Sequence, residues 1–464
     1  MVHCDVAVIG AGPGGYVAAI RAAQLGGRVV AIEREELGGV CLNWGCIPTK
    51  TLIHTAHLYH KLQHADRFGL DVSGLGVNLK ALVKRKNEVV KSNKAGIRNL
   101  FKANGIQLVQ GNAKVTGPHS ILVGDEQIEA NAIIIATGSS PAQLPGLETD
   151  GKRVITSTEA LDLEELPKSA VIVGAGAIGA EFASMWNAFG VNVTLVEMLP
   201  RVLPNDDEEI SQRMGDLFKK RKIDVRTETT VKKLDVGKKG VHVEFDGAKA
   251  GAVDADLVLV GIGRRYHSEV VSETPGLGVE LGQRGKINVN ERMETTVPSI
   301  YAIGDVVGKT MLAHGASAEG LVAAANAMGA SKTMDYRVVP ACTFTSPEVA
   351  SVGLTETKAK AAGIETKVGR FNMMASGRAH TMGETDGMVK IIGNAKTDQV
   401  IGVHIMGPEA GELIAAAALA IRLEATVEDI AHTIHTHPTL AETVMEAAED
   451  YYGAGIHTPP SRSA

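Results

Sequence analysis

A Gly-x-Gly-x-x-Gly turn between two apolar strands occurs twice in this chain, and no other feature restricts its folding so tightly. The first copy runs from the apolar stretch 4–9, Cys-Asp-Val-Ala-Val-Ile, into Gly10-Ala11-Gly12-Pro13-Gly14-Gly15. A helical pattern then reaches Leu25, and a second apolar strand over 28–32 ends at Glu33. The second copy begins at Ala170-Val171-Ile172-Val173, turns through Gly174-Ala175-Gly176-Ala177-Ile178-Gly179, and ends with a strand over 191–196 and Glu197. In each copy the first glycine (Gly10, Gly174) permits the tight turn and the second (Gly12, Gly176) lets a pyrophosphate approach the backbone, while the third (Gly15, Gly179) allows close helix packing. The helix N-terminus supplies positive potential for the phosphates. Glu33 and Glu197 each stand 18 residues beyond the third glycine, where a carboxylate suits ribose hydroxyls. One such turn is weak evidence. The whole succession of strand, turn, helix, strand and acid, occurring twice, predicts two dinucleotide-binding folds. An acid at Glu197 repels a 2′-phosphate, and no basic partner for one is evident at that strand end, so NAD is expected there rather than NADP.

At 464 residues the chain exceeds what one hydrophobic core serves. Each half also carries a late apolar strand capped by glycine: 132–136 before Thr137-Gly138, and 257–260 before Gly261-Ile262-Gly263. The strand 300–303, ending at Gly304-Asp305, is expected to return to the first domain. From about residue 340 the pattern changes to alternating strands over 389–392 and 400–405, with helices over 411–423 and 441–450, which reads as an α+β domain. The expected fold class is therefore α/β, with two Rossmann-like domains and a C-terminal α+β domain. Its expected divisions are 1–148, 149–268, a central segment 269–340, and 341–464. The 411–423 helix is almost wholly Ala, Leu and Ile apart from Glu412 and Arg422, so it needs burial in a core or at a subunit interface.

A net charge of −6, from 47 basic and 53 acidic residues, offers no basic surplus for nucleic acid or for an anionic membrane. The most basic stretch, 80–102, interleaves its lysines with Leu82, Val83, Val89, Val90, Ile97 and Leu100 and reads as a solvated amphipathic helix. No run of about 18 uncharged apolar residues exists, and the first strand starts by about His3, leaving no room for a targeting peptide. A cytoplasmic location is expected, where a lasting disulfide is catalytic more often than structural.

Four cysteines are too few for a disulfide scaffold. Cys4 and Cys342 stand alone and are read as buried thiols, whereas Cys41 and Cys46 lie eight residues and more beyond Glu33 with four residues between them. If the chain is helical there, one turn brings the pair near the usual disulfide Cα separation of about 5.5 Å. Two nucleotide sites beside a dithiol suggest an electron relay from nicotinamide through a flavin to a disulfide, with the flavin dinucleotide in the first site and the nicotinamide one in the second. Near the C-terminus, His435-Thr436-His437-Pro438-Thr439-Leu440-Ala441-Glu442 offers an acid–base candidate for thiol chemistry in His437. It reads equally as a loop histidine, with Glu442 starting a helix from a capping-box spacing. No His, Cys or carboxylate spacing argues for a metal site.

Over its whole length the chain resembles the pyridine nucleotide-disulfide oxidoreductases, and among them the members that oxidise dihydrolipoamide. The matching stretches are Gly38-Gly39-Val40-Cys41-Leu42-Asn43-Trp44-Gly45-Cys46-Ile47-Pro48-Thr49-Lys50, the run 174–181, 301–305, Met311-Leu312-Ala313-His314, and 435–442. The resemblance implies a Cys41–Cys46 redox disulfide, with Cys41 exchanging with the lipoyl sulfur and Cys46 facing the flavin. It implies His437 as the thiol base, oriented by Glu442, and a Lys50–Glu181 ion pair at the flavin's reactive edge. Asp305 would hold the ribityl chain of a tightly, non-covalently bound FAD, with Ala113, Thr137, Gly138 and Ala313 lining its site. Ile178, Glu181, Val231 and Gly263 would join Glu197 around NAD. It further implies a homodimer whose histidine reaches the other subunit's dithiol, serving the lipoyl domains and core subunits of 2-oxo acid dehydrogenase or glycine cleavage complexes. Two departures stand out: Val40 replaces a threonine common in relatives, and Tyr266-His267 replaces a proline-containing turn after Arg264-Arg265. A glutathione-reducing relative would need basic residues near Glu197. A mercury-reducing one would need a C-terminal cysteine pair, absent from 459–464. A purely structural subunit with a vestigial redox centre is the reading from outside the enzymes.

Overall fold

The computed structural model describes residues 2–458. The tail 459–464, read above for its lack of cysteines, lies outside them. Strand β1 (Val2–Ile9) lies between β2 (Val29–Glu33) and the strand Glu126–Ile135, all parallel, with Ile300–Ala302 added on the far side of the latter. Val6, Ala7 and Val8 have no exposed surface, because both faces of the sheet are covered: helices pack on the Val6 and Val8 face, and the strands over 113–123 with the 270–287 segment pack on the Ala7 face; hence the continuous apolar run. Helix α1 (Pro13–Gln24) makes the crossover to β2. Gly10 has φ +97°, and a Cβ on it would stand 2.3 Å from the Ala136 carbonyl oxygen, so no other residue fits this turn. The later helix Ala313–Ala327 packs on α1 so closely that a Cβ on Gly320 would meet the Gly14 carbonyl at 2.6 Å. That contact returns the central segment to the first sheet.

The second fingerprint repeats the device. Strands Asn192–Val196, Ser169–Val173 and Leu257–Val260 run parallel side by side, and a Cβ on Gly174 would lie 2.4 Å from the Gly261 carbonyl. A small antiparallel sheet over 229–255 covers one side of this unit and contains Val231. A two-stranded ribbon, Ser139–Pro141 with Arg264–Tyr266, crosses between the two halves. Tyr266 and His267 belong to that crossing. The Tyr266 ring packs against the first sheet's core, while the His267 N–H donates to the Gly138 carbonyl and its own carbonyl accepts from the Thr137 hydroxyl.

The third unit is a five-stranded antiparallel sheet over 341–407, backed by helices Ala410–Arg422 and Glu442–Tyr451. Only one face of the 410–422 helix finds cover within the chain: Ala410, Ile414 and Ala417 are buried, whereas Leu419 and Leu423 are 59% and 69% exposed. The amphipathic 79–103 helix forms as expected, with Asn78 capping its N-terminus through the Ala81 N–H.

A buried charge cluster joins this unit to the second. Lys390, in the strand Met388–Asn394, places Nζ 2.9 and 3.0 Å from the two Asp207 oxygens and 2.5 Å from Glu356, while Lys390 and Asp207 are 3% and 2% exposed. Asp207 also caps the helix Glu208–Lys220, accepting from the Glu209 N–H. Two carboxylates around one ammonium offset its desolvation, so removal of the ammonium alone leaves buried negative charge. Lys390→Ala is expected to lower stability by about 3–5 kcal/mol, read from the shift in the urea-unfolding midpoint; a change below about 1 kcal/mol would show the cluster to be solvated.

Candidate active site

A cleft of about 530 Å³ runs from the first fingerprint to the second, within the size range of small-molecule sites. Gly10, Gly12, Gly15, Glu33, Ala113, Thr137, Gly138, Asp305 and Ala313 line it, together with Cys41, Cys46 and Lys50. From the second unit Ile178 and Glu181 reach it. Gly174, Gly176, Gly179, Glu197, Val231 and Gly263 lie on the second unit outside this cleft, and so do His437 and Glu442 in the third.

The two acids are more occupied than their spacing indicates. Glu33 accepts from the Ala11 N–H at 2.7 Å and the Glu35 N–H at 2.8 Å, and Glu197 accepts from Ala175 at 2.7 Å and Leu199 at 2.9 Å. Each carboxylate thus clamps its own glycine turn to its own strand end, with lone pairs remaining for a ribose. Spacing alone does not reveal this use.

Around the cysteines the chain is not one continuous helix, as the spacing argument supposed. Cys41 lies in the short helix α2 (Gly39–Asn43), the chain breaks at Trp44-Gly45, and Cys46 is the first residue of α3 (Cys46–Gln63). Glycine fits the break: a Cβ at position 45 would crowd the Val40 carbonyl at 3.0 Å. The two thiols lie side by side, within hydrogen-bond reach. Cys41 donates to Cys46, which holds Cys46 below the ordinary thiol range against its burial, and the Lys50 ammonium adds to the effect. The same hydrogen bond and burial push Cys41 up. The N-terminus of α3 also favours a thiolate at Cys46.

Lys50, one turn along α3, pairs with Glu181 at 2.9 and 3.0 Å, and Glu181 also accepts from the Phe344 N–H at 2.9 Å. Three units therefore meet at this carboxylate. Cys342 lies beside it and lines the cleft, half-buried; the expectation of an isolated buried thiol is corrected here, although burial does push its pKa up. Its strand places it two residues before Phe344, a relation that only the tertiary fold creates. Asp305 accepts from the Ser139 hydroxyl and lies 3.5 Å from the Arg264 guanidinium. Arg264, Arg34 and Asn112 also line the cleft without having been singled out in the sequence.

His437 is 79% exposed, with Nδ1 2.9 Å from Glu442. Burial pushes Glu442 up, but the Thr439 N–H and His437 outweigh it and hold the carboxylate below its usual range. Glu442 also opens the last helix, so the two roles left open for it coexist. The structure brings His437 to Glu442 and leaves both away from the chain's own dithiol.

The walls suit two dinucleotides. Helices α1, 177–188 and 313–327 all start without a side-chain cap, leaving their first N–H groups free for an anion or a carbonyl. A Cβ on Gly176 would meet nothing within 4 Å, and one on Gly12 only the Gly39 Cα at 3.9 Å, so both turns present open backbone. Among the described residues no group of three or more His, Cys, Asp or Glu is placed to hold a metal, and no helix is long and apolar enough to cross a membrane.

Residues 4–320 match the pyridine nucleotide-disulphide oxidoreductase family, and residues 339–448 match that family's dimerisation domain. The dihydrolipoyl dehydrogenase of Thermus scotoductus is 45% identical over 98% of this chain and 98% of its own. The mitochondrial dihydrolipoyl dehydrogenase of Homo sapiens is 44% identical over 96% of this chain and 90% of its own. Among solved structures, LpdA from Mycobacterium tuberculosis superposes with a TM-score of 0.88 at 28% identity, covering 97% of this chain and 99% of that one. With the paired thiols, the repeated turns and this full-length similarity, the chain belongs to the pyridine nucleotide-disulphide oxidoreductase family.

Proposed function

We propose that the chain oxidises protein-bound dihydrolipoamide to lipoamide with reduction of NAD, acting as a dihydrolipoyl dehydrogenase with FAD held non-covalently in the cleft. The observation that carries this is the dithiol at the N-terminus of α3, in one cleft with the first fingerprint on one side and the Lys50–Glu181 pair on the other. The first fingerprint, Glu33, Ala113, Thr137, Gly138, Asp305 and Ala313 would hold FAD. Gly174, Gly176, Ile178, Gly179, Glu181, Glu197, Val231 and Gly263 would hold NAD. The division into 1–148, 149–268, 269–340 and 341–464 follows the same assignment.

In the oxidised enzyme Cys41 and Cys46 form a disulfide. A base removes the proton from one dihydrolipoyl thiol, and the resulting thiolate attacks Cys41 Sγ, breaking the Cys41–Cys46 bond and releasing Cys46 as a thiolate. The second dihydrolipoyl thiol displaces Cys41 from the mixed disulfide. Lipoamide leaves and the electron pair stays on the dithiol. Lys50 and the N-terminus of α3 stabilise the Cys46 thiolate as it is released. FAD, when bound, relays the electron pair from the dithiol to NAD. The Lys50–Glu181 pair fixes both helices beside that exchange.

The base is His437 of the partner subunit, held by Glu442 in a homodimer with shared active sites. Its 79% exposure and its position outside its own chain's cleft support this, as do Leu419, Leu423 and the 96% exposed Ile434 in the same unit. Lipoyl domains and cores of 2-oxo acid dehydrogenase or glycine cleavage complexes are the partners. A cytoplasmic setting suits a disulfide that is broken and re-formed in catalysis and is not a structural cross-link.

Steady-state assays should show dihydrolipoamide oxidation with NAD and, in comparison, negligible turnover of reduced glutathione with NAD or NADP; preference for glutathione would overturn the assignment. His437→Gln should lower dihydrolipoamide oxidation by on the order of 10²–10⁴ while leaving NADH-to-dye electron transfer nearly unchanged, and equal losses would remove His437 from thiol chemistry. For the reduced enzyme, Cys46 sits below the ordinary thiol range, so its thiolate persists as pH falls through that range and disappears only on further acidification. Iodoacetamide should therefore alkylate the parent at mildly acidic pH, and Cys46→Ser should move the rate profile upward in pH.

A further inference from the structure

The departure Tyr266-His267 places an imidazole where the flavin site has no assigned ligand. His267 lines the cleft with its side chain 13% exposed. Its backbone is fixed on both sides, the N–H to Gly138 and the carbonyl to Thr137, so the ring is held by the segment that frames the cleft. Nδ1 stands 3.7 Å from Glu269, too far for a hydrogen bond, and Glu269 is already paired with Arg265. Nε2 takes no hydrogen bond from a protein group among the described residues. Burial first, then Arg34, Arg265 and Arg264, holds the imidazole down to about 4, so it is neutral at neutral pH. A neutral imidazole still carries one N–H donor.

Its place along the cleft identifies the acceptor. Arg34 follows Glu33 at the end of β2, toward the adenosine end of a dinucleotide bound to the first fingerprint, and Arg264 stands with Asp305 toward the ribityl end. His267 is hydrogen-bonded to Thr137 and Gly138, and Thr137 packs on the glycine turn assigned to the pyrophosphate, its Cα 3.3 Å from where a Cβ on Gly10 would stand. What lies between adenosine and ribityl in a flavin dinucleotide is the pyrophosphate, the one part carrying negative charge. Glu269 and Glu273 also line this stretch, with Glu269 neutralised by Arg265.

We propose that His267 is a binding residue for FAD, donating its free ring N–H to the pyrophosphate. The proposal rests on the assignment of FAD to the first fingerprint. Hydrogen bonds to charged groups are among the stronger ones, so the expected effect on affinity is roughly ten- to a hundredfold.

The test is FAD titration of the apoprotein, followed by quenching of flavin fluorescence. His267→Phe, which keeps the ring's bulk and loses the donor, should weaken FAD binding roughly ten- to a hundredfold. His267→Asn, which keeps a donor, should recover most of the loss. Far-ultraviolet circular dichroism and the affinity for NADH should match the parent in both variants. FAD affinity of His267→Phe within about twofold of the parent, or equal weakening in both variants, would overturn the role. Failure of the parent apoprotein to bind FAD at all would instead defeat the cofactor assignment, so the two failures are distinguishable.

Discussion

The ion pair between Lys50 and Glu181 is the contact on which the site's geometry depends. It joins the helix that starts at Cys46 to the helix of the second fingerprint, and through the Phe344 N–H the same carboxylate reaches the third sheet. A half-buried pair with this many hydrogen bonds compensates the loss of water around its charges, which a bare buried pair does not. Its geometric effect exceeds its energetic one. Three units acquire a fixed distance beside the dithiol, and the Lys50 ammonium also favours a thiolate at Cys46 one turn away.

The parts of the molecule that are legible in the sequence are those set by local sterics. Gly10 and Gly174 could be read because their positive φ and the carbonyl packed against each admit no side chain, and that restriction leaves a trace in one chain. The apolar strands could be read because both their faces are covered. Cys342 could not, since its presence in the cleft depends on a pairing between units more than a hundred residues apart, and nothing near it in the chain hints at that. The break between Cys41 and Cys46 was likewise hidden: a lone glycine at position 45 is compatible with a helix, and only the folded chain shows the Val40 carbonyl lying where a Cβ would stand. The fingerprint acids form an intermediate case. Their positions were legible, but the backbone N–H groups that they hold were not.

The third unit buries a core of its own and still leaves the residue proposed as the thiol base in the open. Its sheet and two helices bury Ile405, Ile414 and Ala447, yet His437 and the outer face of the 410–422 helix remain open. The same helix therefore carries two sequence requirements, a face bearing Ile414 and Ala417 packed on its own sheet and an outer face bearing Leu419 that a second copy would cover. Periodicity distinguishes an apolar helix from an amphipathic one but does not say which apolar face belongs to which neighbour.

The double duty of Glu197 sets a limit on how this scaffold can change. Its oxygens anchor the Ala175 and Leu199 N–H groups, so the residue we propose to discriminate against a phosphorylated ribose is also one that holds its glycine turn in shape. Exchanging it for a basic residue would leave the buried Ala175 N–H and the part-buried Leu199 N–H without this acceptor. A switch of nicotinamide preference in such a protein cannot proceed by one substitution at this position. It requires that another group first take over the turn, which ties the evolution of cofactor choice to the stability of the fold.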